Sequence, residues 1–451
     1  LAGGGYKFFR NVKDYGADSS GGSDAAEAIN AAVSDGNRCG EECGNTFTKG
    51  AIVYFPPGKY MVCTPIIQLY YTQFIGDALN PPTIIGCPTF KGIALIDTDP
   101  YIPGEAGAEW FVNQNQFFRH IRNFVFDLTE MPNETDDNDQ PLVPTGIHWQ
   151  VAQATTLQNL VFTMPSSSGN TTAVGIFTEN GSGGFVSDLT FNGGNIGWRA
   201  GSQQYTARNL KFSGCLTAIQ MVWDWGWTWQ GIDIEGGAIG FNISGVGGST
   251  GQGIGSVSII DTTIRNVAVG ILTNAKSTAP DIVLDNVVAS GVAQMVQVDG
   301  GATLLGSVGT IDLWATGKVY NGSKGTPATG PAEAPPKASS LLSKGKLFTQ
   351  SRPQYEAYST SQFSLATRDG GCANDGTGDQ KDCINAFLQR AVSSKQIAYF
   401  PAGIYTVGST VVIPTGSRIQ GSSWSQIQGS GYYFSDMTNP KVVVQVSIPP
   451  G

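Results

Sequence analysis

The sequence predicts an all-β protein, a right-handed parallel β-helix followed after a linker by the start of a second one. Three observations predict it. A short alternating strand motif returns along the chain, the opening segment recurs after residue 353, and the composition disfavours helices. Only 14% of the 451 residues are charged, against roughly 25% in an ordinary soluble domain. Gly contributes 60 residues and Pro 23, which supply turns at short intervals. Few long charged side chains remain to solvate helix faces, which disfavours a bundle or coiled coil. A hydrophobic fraction of 40% is too high for disorder.

The first element is a cap. Asp14-Tyr-Gly-Ala-Asp18 precedes Asp24-Ala-Ala-Glu-Ala-Ile-Asn30-Ala-Ala-Val33, and Val53-Tyr-Phe55-Pro-Pro-Gly58-Lys-Tyr60 follows. Asp24 with Glu27 stands in capping-box register, so a short amphipathic helix is predicted. Such a helix would plug the open end of a solenoid, whose first rung otherwise exposes its core.

The rungs come next. Ile121–Phe126, Leu157–Phe162, Val186–Phe191, Ala207–Phe212, Trp229–Ile234, Ile259–Ile264 and Val283–Val288 all alternate apolar and polar residues. That period of two marks a strand with one buried face. The third position is mostly Asn or Asp: Asn123, Asn159, Asp188, Asn209, Asp261, Asp285. A strand returning every 20 to 36 residues, with Gly-rich turns between, describes a β-solenoid. A propeller blade would need about 40 to 50 residues and four strands. The right-handed sense follows from parallel crossover geometry.

Residues 321–352, rich in Pro, Gly, Ala and Ser, are predicted to be a linker. Then the opening pattern repeats. Asp369 to Asp375 precedes Asp379, with Asp382 behind it, then Ile384-Asn385-Ala386 and Ala398-Tyr-Phe400-Pro-Ala-Gly403-Ile-Tyr405. The chain therefore divides into a first β-helix over 1–320, the linker over 321–352, and the beginning of a second β-helix over 353–451. The second part holds too few rungs for a comparable domain. With no Met at Leu1 and no signal peptide, the chain reads as a trimmed, truncated or cleaved product.

The net charge of −9 argues against a nucleic-acid backbone as partner, which needs clustered Lys and Arg. It suits a neutral ligand such as a sugar. No apolar run reaches 18 residues, so no membrane span is expected. Cys39 and Cys43 share one loop, Cys372 and Cys383 another, and Cys63 and Cys87 end two apolar segments. Cys39–Cys43, Cys63–Cys87 and Cys372–Cys383 are the expected bridges, with Cys215 left over, although spacing alone leaves the connectivity open. Sequons occur at Asn133, Asn170, Asn180, Asn242 and Asn321. Together with paired cysteines they predict a secreted, extracellular glycoprotein. No C-x-x-C pair suggests zinc, and Glu134-Thr-Asp-Asp-Asn-Asp139 lacks the Gly and terminal Glu of a calcium loop. Neither metal nor cofactor is expected.

The chain resembles glycoside hydrolase family 55, the exo-β-1,3-glucanases of fungi and some bacteria. Tyr6-Lys-Phe-Phe-Arg-Asn-Val-Lys-Asp-Tyr-Gly-Ala-Asp18 and Val53–Gly58 are signatures of the wider pectate-lyase superfamily. More specific are Asn113-Gln-Asn-Gln-Phe-Phe-Arg-His-Ile-Arg-Asn123, Gly146-Ile-His-Trp-Gln-Val-Ala-Gln-Ala-Thr155 and Gly175-Ile-Phe-Thr-Glu-Asn-Gly-Ser-Gly-Gly184. The resemblance covers the whole chain but only about the N-terminal 60% of the family's length. It implies exo-acting hydrolysis of laminarin-type β-1,3-glucan with inversion, releasing glucose, in a cleft between two β-helices. It also implies a general acid Glu in the second β-helix, beyond this chain's end. The implied partners are the glucan and the remainder of that β-helix, carried here or on a separate peptide.

Gly146–Phe162 and Gly175–Phe191 are both 17 residues long, so Gln150 is expected to stack on Glu179 and Gln153 on Ser182, with Gln203 next in the second column. Gln and Ser donate and accept at once, so they can orient a neutral water. The resemblance implies this role for Gln153 and Ser182, against a plain reading as turn residues. Gln150, Glu179 and Gln203 are expected to contact sugar, or to be solvated turn residues. Trp223-Asp-Trp-Gly-Trp-Thr-Trp229 alternates, so all four indoles would share one side of a strand. Four core indoles would overfill a narrow rung. Trp223, Trp225 and Trp227 are therefore candidates to stack on sugar, with Trp198 and Trp149 weaker ones. The competing reading is packing against the second β-helix. His120 and His148, the two histidines, read as structural. The sequons at Asn133, Asn170, Asn242 and Asn321 are expected to carry glycans. Asn180 is not, because a glycan beside Glu179 would obstruct a cleft. Two other function classes stay open: a non-catalytic glycan-binding or structural β-helix, and a pectate lyase or polygalacturonase. The last lacks its calcium or paired-Asp pattern here.

Overall fold

A computed structural model describes residues 5–46, 48–133, 143–166, 168, 170–245, 253–274, 280–422 and 424–446. Contacts group the chain into two compact units, 1–353 and 354–451.

The first unit is a parallel β-helix. Each rung gives a short strand to one sheet and a longer strand to another. Successive rungs pair Thr145–His148, Val174–Thr178, Ile196–Gly201 and Thr217–Trp223 in one sheet. Thr156–Thr163, Gly184–Asn192, Gln204–Ser213 and Gly226–Glu235 pair in the other. The predicted alternation holds: Leu157, Leu160 and Phe162 are buried, and so are Val186, Leu189 and Phe191.

Stacking is strict because identical residues meet in register. Phe126, Phe162, Phe191 and Phe212 form a ladder with centroids 5.0, 4.8 and 4.6 Å apart. Glycines of the opposite sheet make room for it. A Cβ on Gly175 would lie 2.5 Å from the Gly197 carbonyl oxygen and 2.6 Å from the Phe191 ring.

The Asn/Asp column has a backbone cause. Asn123, Asn159, Asp188, Asn209 and Asp261 all have φ between +51° and +65°, and Gly231 fills the same place at +66°. Asn, Asp and Gly are the residues that enter the left-handed region most readily. Their side chains then bond up the stack, as Asn159 Nδ2 does to Asn123 Oδ1 at 3.0 Å. Asp285 is not in this column. Asn286 takes the left-handed turn, at φ +54°, and bonds Asp261 at 2.5 Å.

Helix α1 (Ala26–Ser34) and helix α2 (Lys381–Ser393) cap the two units by the same device. The capping box at Asp24 does not form. Asp24 lies one residue before the N-cap, Ala25, and its carboxylate takes the amides of Ala26 and Cys63. Asp379 likewise takes those of Lys381 and Gly408. Asn30 accepts from the Ile67 amide and Asn385 from that of Val412. Three disulfides are present, Cys39–Cys43, Cys63–Cys87 and Cys372–Cys383, and Cys215 is a buried free thiol.

Residues 321–352 are not a free linker. Thr310–Asn321 reverses and runs antiparallel on Asp281–Ser290, which ends the parallel stack. Lys324–Pro331 returns along it as a hairpin, turning at Gly322 with φ +63°. Asn-Gly between two strands is a strong hairpin signal, and the Pro and Gly around it mask that signal. The chain then runs back from Asp285 and along the Asn/Asp column. Lys337 pairs with Asp285 at 2.6 Å, the Leu347 amide donates to Asp261 at 2.8 Å, and Ser351 donates to Asp188 at 2.6 Å.

The second unit begins another β-helix. Ile397–Phe400 pairs parallel with Ile419–Gly421, and Gly403–Val407 with Ser425–Gly429, over a core that includes Phe387, Phe400 and Tyr405.

Candidate active site

Two turns on successive rungs build the centre of the site. Residues 149–155 link Thr145–His148 to Thr156–Thr163, and residues 179–183 link Val174–Thr178 to Gly184–Asn192. Between the strands the register slips by one, so Val151 bridges Gly181. Only glycine fits there, because a Cβ on Gly181 would sit 2.3 Å from the Val151 carbonyl oxygen. The slip still leaves Ser182 beside Gln153, with Ser182 Oγ 3.0 Å from Gln153 Oε1 and 2.9 Å from the Gln114 carbonyl. One hydroxyl proton can serve one of these acceptors at a time. Ser182 is buried, Gln153 is exposed, and Gln204 Nε2 donates to the Ser182 carbonyl at 2.9 Å.

Gln153 lies on a groove of about 670 Å³, lined also by His120, Thr156, Phe185, Tyr205 and Thr228. His120 Nδ1 is 2.9 Å from Thr156 Oγ1. Burial, then the charges of Arg122 and Arg352, push His120 down to about 4, so it is uncharged at neutral pH. Gln203 lies half-buried on the next rung, and its carbonyl accepts from the Trp225 amide.

Gln150 and Glu179 part company. Gln150 is fully buried, and its Nε2 donates to Glu109 and lies 3.2 Å from His148 Nε2. It is a support, not part of an exposed patch. Glu179 remains about half exposed and accepts from the Tyr101 hydroxyl. His148 is buried behind them, with Nδ1 2.9 Å from Asp97 Oδ1 and Nε2 4.0 Å from Glu179. A donor on Gln150 facing Nε2 assigns the ring proton to Nδ1, toward Asp97.

Tyr101, Glu109 and Asn113 belong to an irregular excursion, 98–119, between two rung strands. Sequence periodicity does not reach them, since the excursion has none. The one signal there is the Asn113–Asn123 motif. Burial raises the Glu109 carboxyl above the usual carboxylate range. Burial, then the charge of Glu109, pushes Asp99 up to about 8.

The tryptophans divide. Trp198 and Trp227 are core residues, less than 2% exposed, with Trp149 and Trp229. They cannot stack on sugar. The run is not one strand, because Thr217–Trp223 ends and Gly226–Glu235 begins within it. A bulge pairs Gly201 with Trp223. Trp225 is therefore turned out, 57% exposed, while Trp223 is half-buried and donates to the Glu179 carbonyl at 2.8 Å. The core takes four indoles because they pack edge-on and tilted, as Trp198 does to Trp229 at 5.3 Å and 80°.

Among the sequons, Asn170 and Asn321 are exposed and Asn133, Asn180 and Asn242 are half-buried. Glu134–Asp139 lies outside the described residues. Among the described residues no group of three His, Cys, Asp or Glu side chains is placed to hold a metal ion.

The protein family described as rhamnogalacturonase A/epimerase, pectate lyase-like, matches residues 9–242 and 365–443. The chain belongs to this pectate-lyase-like family. The chain is 37% identical to a probable glucan endo-1,3-beta-glucosidase of Arthroderma benhamiae, over 99% of this chain and 61% of that one. It is 36% identical to a glucan 1,3-beta-glucosidase of Cochliobolus carbonum, over 98% and 56%. It is 40% identical to a non-secreted LysM effector, LysM19, of Penicillium expansum, over 98% and 35%. The chain thus spans between about a third and three fifths of these relatives.

Proposed function

We propose that this pectate-lyase-like chain is part of a β-1,3-glucan hydrolase of the family 55 kind, acting from chain ends with inversion and releasing glucose. The carrying observation is Gln153 exposed on an open groove, with the buried Ser182 Oγ 3.0 Å behind its Oε1. An amide steadied by a hydroxyl can hold a neutral water by both donating and accepting, without charge. Inversion needs such a water on the face of the sugar opposite the protonating acid. The names of the Arthroderma and Cochliobolus relatives support the glucan as substrate. Gln203 and Trp225 extend the polar pair along the rungs as substrate contacts. The rest of the second β-helix is the proposed partner for the acid.

Release of glucose from laminarin by the full-length protein, with no sugar released from polygalacturonate, tests this reading. The first sugar formed should be the α-anomer, seen by proton NMR within minutes. Products longer than glucose from the outset would refute the exo mode, and no products at all would favour a binding role. Secretion and glycans at Asn133, Asn170, Asn242 and Asn321 belong to the same proposal, supported by three disulfides. The name of the Penicillium relative points the other way. Glycopeptide masses from the culture medium decide it.

A further inference from the structure

Polar side chains from three separate parts of the chain converge beside the Gln153–Ser182 pair. Tyr101 and Glu109 face each other across a bridge in the 98–119 excursion. Asn113 comes from the short helical turn Asn113–Asn115, whose next residue, Gln114, takes the Ser182 hydroxyl. Gln150 and Glu179 come from successive rungs. Each donor side chain in this set gives a bond to a carboxylate: Tyr101 to Glu179, Gln150 to Glu109, and Asn113 Nδ2 to Glu109 at 3.3 Å. Among the described residues, no Lys or Arg forms an ion pair with either glutamate.

An independent observation is an acceptor without a protein partner. Asn113 is 9% exposed, and both hydrogens of its amide nitrogen are engaged, by Glu109 and by Gln150 Oε1 at 3.4 Å. Its Oδ1 has no partner. Flipping the amide would set that oxygen against the Glu109 carboxylate, so the orphan is fixed. A buried acceptor left empty costs more than a typical bond returns, which marks a place for a donor. The floor is rigid, since Tyr101 stacks on His148 at 5.7 Å and His148 on Phe177 at 5.5 Å. Trp223, tied to the Glu179 carbonyl, sets a partly open indole at the edge.

A ligand for this place must bring several donors, carry no negative charge and offer an apolar face. We propose that Glu109, Glu179 and Asn113, edged by Trp223, recognise a neutral hexopyranose through its hydroxyls and reject a uronic acid by charge. His148 and Asp97 are positioning residues behind the cradle. The identity of the sugar as a glucosyl unit rests on the proposed hydrolase; the cradle itself does not.

Calorimetric titration of the full-length protein tests this, with laminaribiose and digalacturonate as probes. Laminaribiose should bind at least about tenfold more tightly than digalacturonate, since like charges in a desolvated site are strongly disfavoured. Glu179→Gln and Glu109→Gln should each weaken laminaribiose about tenfold, the worth of a hydrogen bond to a charged group. Both should also narrow the gap to digalacturonate, which a merely structural loss would not do. Glu179 is half exposed, so its variant folds whatever becomes of Glu109. Equal binding of the two sugars, or unchanged affinity in both variants, overturns the cradle. Tight laminaribiose binding without laminarin hydrolysis overturns the hydrolase and leaves the cradle. Hydrolysis with unaltered binding in both variants does the reverse.

Discussion

Replacing Ser182 and Gln153 singly and together asks whether they act as one device. Gln153 is exposed and is steadied by Ser182 Oγ at 3.0 Å. Gln153→Ala removes the amide that would touch the water. Misplacing a reacting group costs on the order of 10² in rate, so kcat should fall by about that factor. Ser182→Ala leaves the amide but frees its rotamers. Ordering a Gln side chain is worth about 1.5 kcal/mol, which corresponds to roughly tenfold in kcat. The double variant should be no slower than Gln153→Ala, because Ser182 has nothing left to position. KM should stay within about threefold throughout, since an oriented water matters as the transition state forms. Steady-state glucose release from laminarin, with melting curves as the fold control, measures all four corners. Near-normal kcat in both single variants, or losses that simply multiply, would refute the arrangement.

Other perturbations probe the scaffold and its charges. Glu179→Gln should raise KM for laminarin more than it lowers kcat; a kcat loss above about 100-fold would make Glu179 a general base instead. Gly175→Ala should cost about 3 kcal/mol in chemical denaturation, because its Cβ meets the fixed Gly197 carbonyl at 2.5 Å. Asn209→Ala should cost about 2 kcal/mol and Asn209→Gly about half that, since Gly loses the bond to Asp188 but not the left-handed backbone. Asp224 is buried, with one oxygen unpartnered, and burial raises its carboxyl from 3.8 to about 7. The unfolded chain therefore ionises first, and the share of stability set by Asp224 should fall as pH rises from about 4 to 7, by on the order of 4 kcal/mol, while Asp99, pushed up to about 8, carries the decline further. Asp224→Asn should make that slope shallower in melting temperatures taken across this range.

The β-helix was legible because its physics repeats. Alternation buries one face of each strand, and the left-handed turn demands Asn, Asp or Gly at the same step of each rung, so both leave a periodic trace. Asp285 slipped through because its neighbour Asn286 satisfies the same demand one place on. The Gln153–Ser182 contact was legible for the same reason, since equal rung lengths carry adjacency even across a slip of register. Trp198 and Trp227 were not. Whether a rung overfills depends on how indoles tilt, and on a bulge at Gly201 that splits the tryptophan run into two strands. Composition cannot register either.

The cradle escapes periodicity altogether, because half of it is inserted. Tyr101, Glu109 and Asn113 sit on an excursion free of any rung's spacing. Their meeting with Gln150 and Glu179 depends on where that excursion folds back. The solenoid supplies columns at fixed spacing, which suits a straight polymer and a water held between neighbours. It cannot by itself distinguish one sugar from another, since each rung offers much the same edge. Selectivity then has to come from chain that breaks the repeat. Orphaned acceptor, raised carboxyl and partly open indole all lie where the 98–119 excursion crosses the rungs. Exchanging that excursion while keeping Gln153 and Ser182 should therefore change which sugar is bound before it changes how the water is held.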